Sequence, residues 1–196
     1  DGNDGNGAYD RGNYWYAKSF VTPKQPLAGG RVFVEILAAN SEATVYVNGQ
    51  KVIYHEGGYS IFRADITDYC KEEGENLLVV ECNNEANDRV YPQNADFTFY
   101  GGLYRDVNII AVPNTHFQLD YFGGSGIKVT PEIQGENAKI SLETYITDLK
   151  NGDKVLYNII DAKGDLVATE ESEQLFAEFT IKQPHLWNGV KDPYLY

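Results

Sequence analysis

Apolar and polar residues alternate along this chain in short runs closed by turn residues, and helical periodicity is almost absent. The run Arg31-Val32-Phe33-Val34-Glu35-Ile36-Leu37 reads as a strand, and residues 14–20, 44–47, 51–54, 59–63, 77–83 and 106–112 read likewise. Asn48-Gly49 lies between two of these runs and is a strong hairpin signal, because both positions accept positive φ. Asp65 can cap a single helical turn that ends near Cys70, and Gly74-Glu75-Asn76 turns the chain into the next strand. Val112-Pro113-Asn114 marks a boundary, since proline ends ladder pairing. Beyond it, residues 117–122 lead into Gly123-Gly124-Ser125-Gly126. Residues 138–147, 154–161 and 177–181 then alternate again, with Asn151-Gly152 and Lys163-Gly164 as turns. Strands spaced at roughly ten residues predict an all-β chain of two sandwiches, 1–114 and 115–196. The second is short for its class, so at least one closing strand is expected beyond Tyr196.

Composition narrows what such sandwiches can do. Hydrophobic residues make up 42% and aromatics 13%, with 15 tyrosines, which is enough to build packed cores. Tyrosine suits strands and half-wet surfaces such as sugar clefts. The formal charge is −13, with 16 Lys+Arg against 29 Asp+Glu, which argues against nucleic acid and against an anionic membrane surface as partners. No apolar run is long enough to span a bilayer. The chain has no methionine and opens inside a polar, glycine-rich stretch, so it reads as part of a longer protein. That leaves its compartment open between bacterial cytoplasm, periplasm and secretion. Cys70 and Cys82 are too few for a disulfide scaffold. Cys82 sits in an apolar run and reads as a buried free thiol, with a Cys70–Cys82 bridge as the alternative.

Candidate chemistry is sparse. The 29 acids make carboxylate pairs inevitable, so none identifies a glycosidase by itself. His55, His116 and His185 lie far apart, without cysteine or histidine neighbours at metal-binding spacing. Neither a nucleophile elbow nor a phosphate-binding loop occurs. The opening Asp1-Gly2-Asn3-Asp4-Gly5-Asn6-Gly7 loosely imitates a calcium loop but puts Gly12 where the twelfth, acidic ligand belongs. The most informative stretch is residues 91–107. There, polar side chains and aromatics precede a strand, the mixture that covers a pyranose face and grips its hydroxyls. Gly101-Gly102 permits a turn, and Arg105 with Asp106 could form an ion pair where the strand starts.

Within that stretch, Gly101-Gly102-Leu103-Tyr104-Arg105-Asp106-Val107 resembles a signature of glycoside hydrolase family 2. Val45-Tyr46-Val47-Asn48-Gly49-Gln50 is similar to that family's hairpin. Phe62-Arg63-Ala64-Asp65-Ile66-Thr67 followed by Gly74-Glu75-Asn76 resembles another of its runs. Arg11-Gly12 with Trp15-Tyr16-Ala17-Lys18-Ser19-Phe20 looks like its first strand, and Pro184-His185-Leu186-Trp187 with Asp192-Pro193-Tyr194 looks like the end of its second domain.

The resemblance implies a jelly-roll sugar-binding domain over 1–114, then a truncated immunoglobulin-like domain over 115–196. A (β/α)8 barrel outside this stretch would hold both catalytic glutamates. No catalytic residue and no cofactor are then expected here, with sodium or magnesium expected only in the longer enzyme. In β-galactosidases of the family, an aspartate from the first domain holds the terminal galactose and can help ligate a monovalent cation. By its distance from Gly101-Gly102, that residue corresponds to Asp96, whose alternative role is a turn carboxylate. The implied function is the front end of a retaining hydrolase of terminal β-galactosides, with carbohydrate and its own barrel as partners and with homo-oligomers a feature of the parent. The alternatives are a β-glucuronidase or β-mannosidase of the same family, a stand-alone carbohydrate-binding module, or a structural protein built of sandwiches. Arg105 and Asp106 are expected to act structurally, Asn48-Gly49 as turn chemistry, and Trp187 to pack at a sandwich end.

Overall fold

The computed structural model describes residues 10–24, 29–91 and 100–196, and the chain divides into two compact units. The first contains Asp1–Asn114 and Leu119–Gly124; the second contains Thr115–Gln118 and Ser125–Tyr196. Every paired strand is antiparallel, and helix is confined to two single 3-10 turns among the described residues.

The first unit is a β-sandwich of the jelly-roll class. Its strands are β1 (Asn13–Val21), β2 (Arg31–Ile36), β3 (Ala39–Asn40), β4 (Glu42–Val47), β5 (Gln50–Glu56), β6 (Phe62–Asp65), β7 (Glu75–Asn83), β8 (Gly102–Leu103) and β9 (Val107–Val112). One sheet runs in the order β1-β7-β4-β5 and the other β6-β2-β9, with β3 and β8 as a short extra pair. Alternation puts Val45 and Val47 of β4, and Leu78, Val80 and Cys82 of β7, against Val32, Val34 and Ile36 of β2. Each such side chain contributes about 1.5–3 kcal/mol on burial. The two-residue β4–β5 hairpin has φ of 51° at Asn48 and 81° at Gly49, which the right-handed twist of the strands favours.

The sequence placed a strand over 59–63, but β6 starts at Phe62. Residues 57–61 instead form a loop held by side chains, described below. Thr67–Tyr69 forms the expected single turn, with Asp65 Oδ1 accepting from the Thr67 backbone N–H at 2.9 Å. Cys70 and Cys82 are both free thiols; Cys82 lies in the core, where burial pushes its thiol up to about 12.

The second unit holds β10 (His116–Phe117), β11 (Ile127–Gln134), β12 (Asn137–Thr144), β13 (Ile146–Thr147), β14 (Val155–Ile160), β15 (Leu166–Ser172) and β16 (Phe176–Lys182). These form the sheets β11-β12-β16, β14-β15 and β10-β13 of an immunoglobulin-like sandwich. Leu142, Val155, Tyr157, Ile159, Ala177, Phe179 and Ile181 form its core. The Tyr157 hydroxyl reaches Thr144 Oγ1 at 2.9 Å and donates to the Gln174 carbonyl at 3.0 Å, so the ring is buried without an orphaned polar tip. Trp187 does not pack at a sandwich end: it is 64% exposed. The anchor of that tail is His185, stacked on Tyr194 with ring centroids 3.9 Å apart and with Nε2 2.6 Å from Asp192 Oδ2.

Candidate functional site

Asp96 lies within residues 92–99 and so outside the described residues. The residues on either side of that segment are described, and they belong to one polar frame at the end of the first sandwich. Two asparagines build it. Asn40, at the end of β3, donates from Nδ2 to the Tyr100 carbonyl at 2.7 Å. Asn84, just past β7, accepts from the Gly12 backbone N–H at 2.8 Å and donates to the Asp10 carbonyl at 3.3 Å. Both are buried. Buried amides of this kind fix loops because leaving either group unpaired costs about 1–3 kcal/mol.

The glycines of the frame are glycines because of close approach. A side chain at Gly101 would collide with the Asn84 amide, one at Gly58 with the Asn40 amide, and one at Gly102, where φ is 78°, with the Tyr16 hydroxyl. The Gly101-Gly102 pair therefore does more than turn the chain. It lets the buried Asn84 amide and the Tyr16 hydroxyl close on the backbone that follows the 92–99 segment.

Aromatics rim the frame. Tyr91 and Tyr100, immediately flanking the segment, are 75% and 71% exposed. Tyr104 donates its hydroxyl to the Gly58 carbonyl and meets Tyr59 edge to face at 6.4 Å. Burial raises the Tyr104 phenol, so it stays protonated and a donor at neutral pH. Arg105 is not ion-paired with Asp106. Its guanidinium lies over the Tyr104 ring at 5.4 Å and donates to the Tyr59 carbonyl at 3.4 Å, while the Asp106 carbonyl accepts from the Leu37 N–H at 3.0 Å.

One pair of carboxylates faces across strands here, Glu42 of β4 and Glu56 of β5. Arg89 bridges them, pairing with Glu42 and donating to Glu56 Oε1 at 2.7 Å. Hydrogen bonds from Arg89 and Tyr54 hold Glu56 below the usual carboxylate range. A glycosidase acid needs the opposite shift, so this pair is a structural clamp. Among the described residues no group of three or more His, Cys, Asp or Glu could hold a metal ion. His55 stacks on Phe62 at 4.1 Å and burial lowers its pKa, which fits a neutral packing histidine. A separate cavity of about 560 Å³, lined by Tyr16, Phe20, Leu78, Val107 and Ile109 among others, has no carboxylate in its wall.

Sequence reasoning missed Asn40, Asn84 and Arg89. Their signal was weak: isolated amides at the ends of apolar runs, and an arginine within a polar loop. The frame thus offers exposed aromatic rims, and among the described residues it carries no acid–base pair of its own.

A family model described as "Glycosyl hydrolases family 2, sugar binding domain" matches residues 3–113, and one described as "Glycosyl hydrolases family 2" matches residues 121–196. The crystal structure of an FMN-binding beta-glucuronidase from Facaelibacterium prausnitzii L2-6 superposes with a TM-score of 0.87 at 46% identity, covering 96% of this chain and 30% of that one. A putative beta-glucuronidase of Formosa agariphila is 33% identical over 100% of this chain and 24% of its own length. A beta-galactosidase of Thermoanaerobacter pseudethanolicus is 30% identical over 93% of this chain and 25% of its own. The chain spans about a quarter of the length of these curated relatives.

Proposed function

Because this chain belongs to glycosyl hydrolases family 2, we propose that it is the non-catalytic front portion of an enzyme hydrolysing terminal β-glycosides, with residues 92–99 delivering Asp96 to a sugar pocket completed elsewhere in the protein. The observation that carries this reading is the frame itself. Buried Asn40 donates to the Tyr100 carbonyl, buried Asn84 lies against Gly101 and ties in Asp10 and Gly12, and exposed Tyr91 and Tyr100 stand on either side of the segment. A positioned carboxylate suits a pocket that must hold a bound sugar in one orientation. A carboxylate accepts from two neighbouring hydroxyls, and that contact strengthens as the ring distorts toward the transition state.

Two sugars compete for the pocket. A terminal β-galactoside follows from the resemblance that points to Asp96. A terminal β-glucuronide is supported by the 46% identical neighbour, a beta-glucuronidase. Hydrolysis of 4-nitrophenyl β-galactoside and β-glucuronide by the full-length protein separates them. In either case Asp96→Ala should lower kcat/KM by roughly 10- to 100-fold, the loss of one hydrogen bond to a charged group, with KM raised and kcat lowered. Unchanged kinetics would remove Asp96 from the pocket. A sodium or magnesium requirement belongs to the same proposal, with Asp96 as a candidate ligand of the monovalent ion; assay in sodium-free buffer tests the first, and dialysis against chelator tests the second.

A further inference from the structure

The sequence contains four Asn-Gly steps. Asn48-Gly49, Asn151-Gly152 and Asn188-Gly189 lie among the described residues, and Asn6-Gly7 lies outside them. At such a step the chain can attack its own side chain, because glycine puts no Cβ between its main-chain nitrogen and the asparagine amide. Room does not tell the three described steps apart. A side chain added at Gly49 or Gly152 would meet nothing within 4 Å, and one at Gly189 would meet Trp187 only at 3.9 Å. Nor does the backbone of the glycines, with φ of 81° at Gly49, 90° at Gly152 and 56° at Gly189.

Hydrogen bonding of the asparagine side chain does separate them. The half-buried Asn48 amide donates to the Tyr69 carbonyl and to Asn76 Oδ1, both at 2.8 Å, and its oxygen accepts from the Leu77 N–H at 3.0 Å. Its side-chain carbon cannot swing toward the Gly49 nitrogen until all three bonds break. Asn151 and Asn188 are exposed, and neither side chain has a hydrogen-bond partner among the described residues. Only the backbone around them is tied. The Asp153 N–H donates to the Lys150 carbonyl at 3.1 Å across the first turn, and the Asn188 N–H donates to the Asp192 carbonyl at 2.7 Å in the second.

We infer that Asn151 and Asn188 are sites of spontaneous deamidation, and that Asn48 is shielded from it by its hydrogen bonds. The glycine nitrogen gives up its proton and attacks the asparagine side-chain carbonyl carbon. That N–C bond forms, the bond to the amide nitrogen breaks, and this nitrogen leaves as ammonia with the proton. Water then opens the cyclic imide at either carbonyl and leaves aspartate or isoaspartate, so water is the one co-reactant. Each event adds a carboxylate to a chain already at −13. At Asn188 isoaspartate also adds a methylene to the main chain, inside the two bonds of 2.7 and 3.4 Å that Asn188 and Asp192 exchange. Asp192 is the partner of His185, so the anchor of this tail weakens as the protein ages. The inference is independent of the role given to Asp96.

The test is incubation of the full-length protein at mildly alkaline pH, with samples digested by pepsin in acid, which stops the reaction, and each site read by mass spectrometry. Asn151 and Asn188 should convert about 100-fold faster than Asn48, since each of three hydrogen bonds slows the attack roughly fivefold. In concentrated urea the bonds are gone, and the three rates should converge to within a few-fold. Asn76→Ala removes one acceptor and should raise the Asn48 rate about fivefold. If that variant does not fold, the comparison of folded with unfolded wild-type protein decides by itself. Conversion of Asn48 as fast as the other two in the folded protein would overturn the inference. So would an Asn151 or Asn188 that stays intact as long as Asn48, because another part of the protein would then cover it. A 100-fold spread that persists in urea would overturn it as well, by tracing the difference to neighbouring residues and not to the fold.

Discussion

At the scale of single residues, Arg63 concentrates more structure than any motif reading suggested. Its Nε donates to Glu35 Oε2 at 2.6 Å, and its Nη1 donates to the carbonyls of Leu119 at 3.0 Å and Gly124 at 2.8 Å. Asn108 donates to the other Glu35 oxygen at 2.9 Å. Burial alone would raise Glu35, but the hydrogen bonds from Asn108 and Arg63 outweigh it and hold the carboxyl below 4.5. Because the folded value is depressed, this group stabilises the fold fully above pH 4.5 and the gain is lost as pH falls below it. Arg63→Ala leaves a mostly buried carboxylate and two carbonyls without their donor. It should cost about 3 kcal/mol in urea unfolding at pH 7, and less at pH 3, where Glu35 is closer to neutral. An equal loss at both pH values would show that the carbonyl contacts, and not the charge pair, dominate. The resemblance named Arg63 only as a letter in a run. Its partners are 28, 56 and 61 residues away, and no local pattern encodes such pairing.

At the scale of elements, the strands that feed a core were legible, and of the exposed ones β1 was read while β11 and β15 were not. β2, β4 and β7 stand out in the sequence because their alternation feeds the core. β11 and β15 did not, and both are exposed along most of their length. β11 also carries Pro131, which argues against a central strand. Its place at the edge of β11-β12-β16 makes that proline tolerable. The Asn48-Gly49 turn was read correctly as a turn, but Asn48 does more. Its amide donates to the Tyr69 carbonyl and to Asn76 Oδ1, both at 2.8 Å, and its oxygen accepts from the Leu77 N–H at 3.0 Å. Asn76, 1% exposed, passes the chain of bonds on to Thr22 at 2.9 Å. The hairpin, the 3-10 turn and the start of β7 are thus one polar node. Asn76→Ala should destabilise by about 2 kcal/mol or more, since it orphans buried groups on both sides, and thermal unfolding reads this directly. A loss below about 0.5 kcal/mol would mean that water replaces the amide.

At the scale of the whole molecule, the composition and strand spacing made the all-β class plain, and the ordered motifs made the family plain. The site was less legible. The sequence pointed to the segment around Asp96 through Gly101-Gly102, yet Asn40, which bonds Tyr100, and Asn84, which lies against Gly101, come from β3 and just past β7, close only after folding. The two units have separate cores, with thirteen buried residues clustered in the first and seven in the second among the described residues. Hydrogen exchange along a urea series should therefore open the amides of β12, β14 and β16 before those of β2, β4 and β7. Simultaneous opening would mean that the two unfold as one. The path of the backbone bears on the history of such a protein. The chain leaves the first unit after Asn114, returns for Leu119–Gly124, and leaves again. Gene shuffling that joins one parent's first sandwich to another's second at Pro113 would sever Arg63 from the six residues that it evolved to hold. Viable recombinants should instead carry their crossovers after Gly124, even though the proline looks like the natural seam.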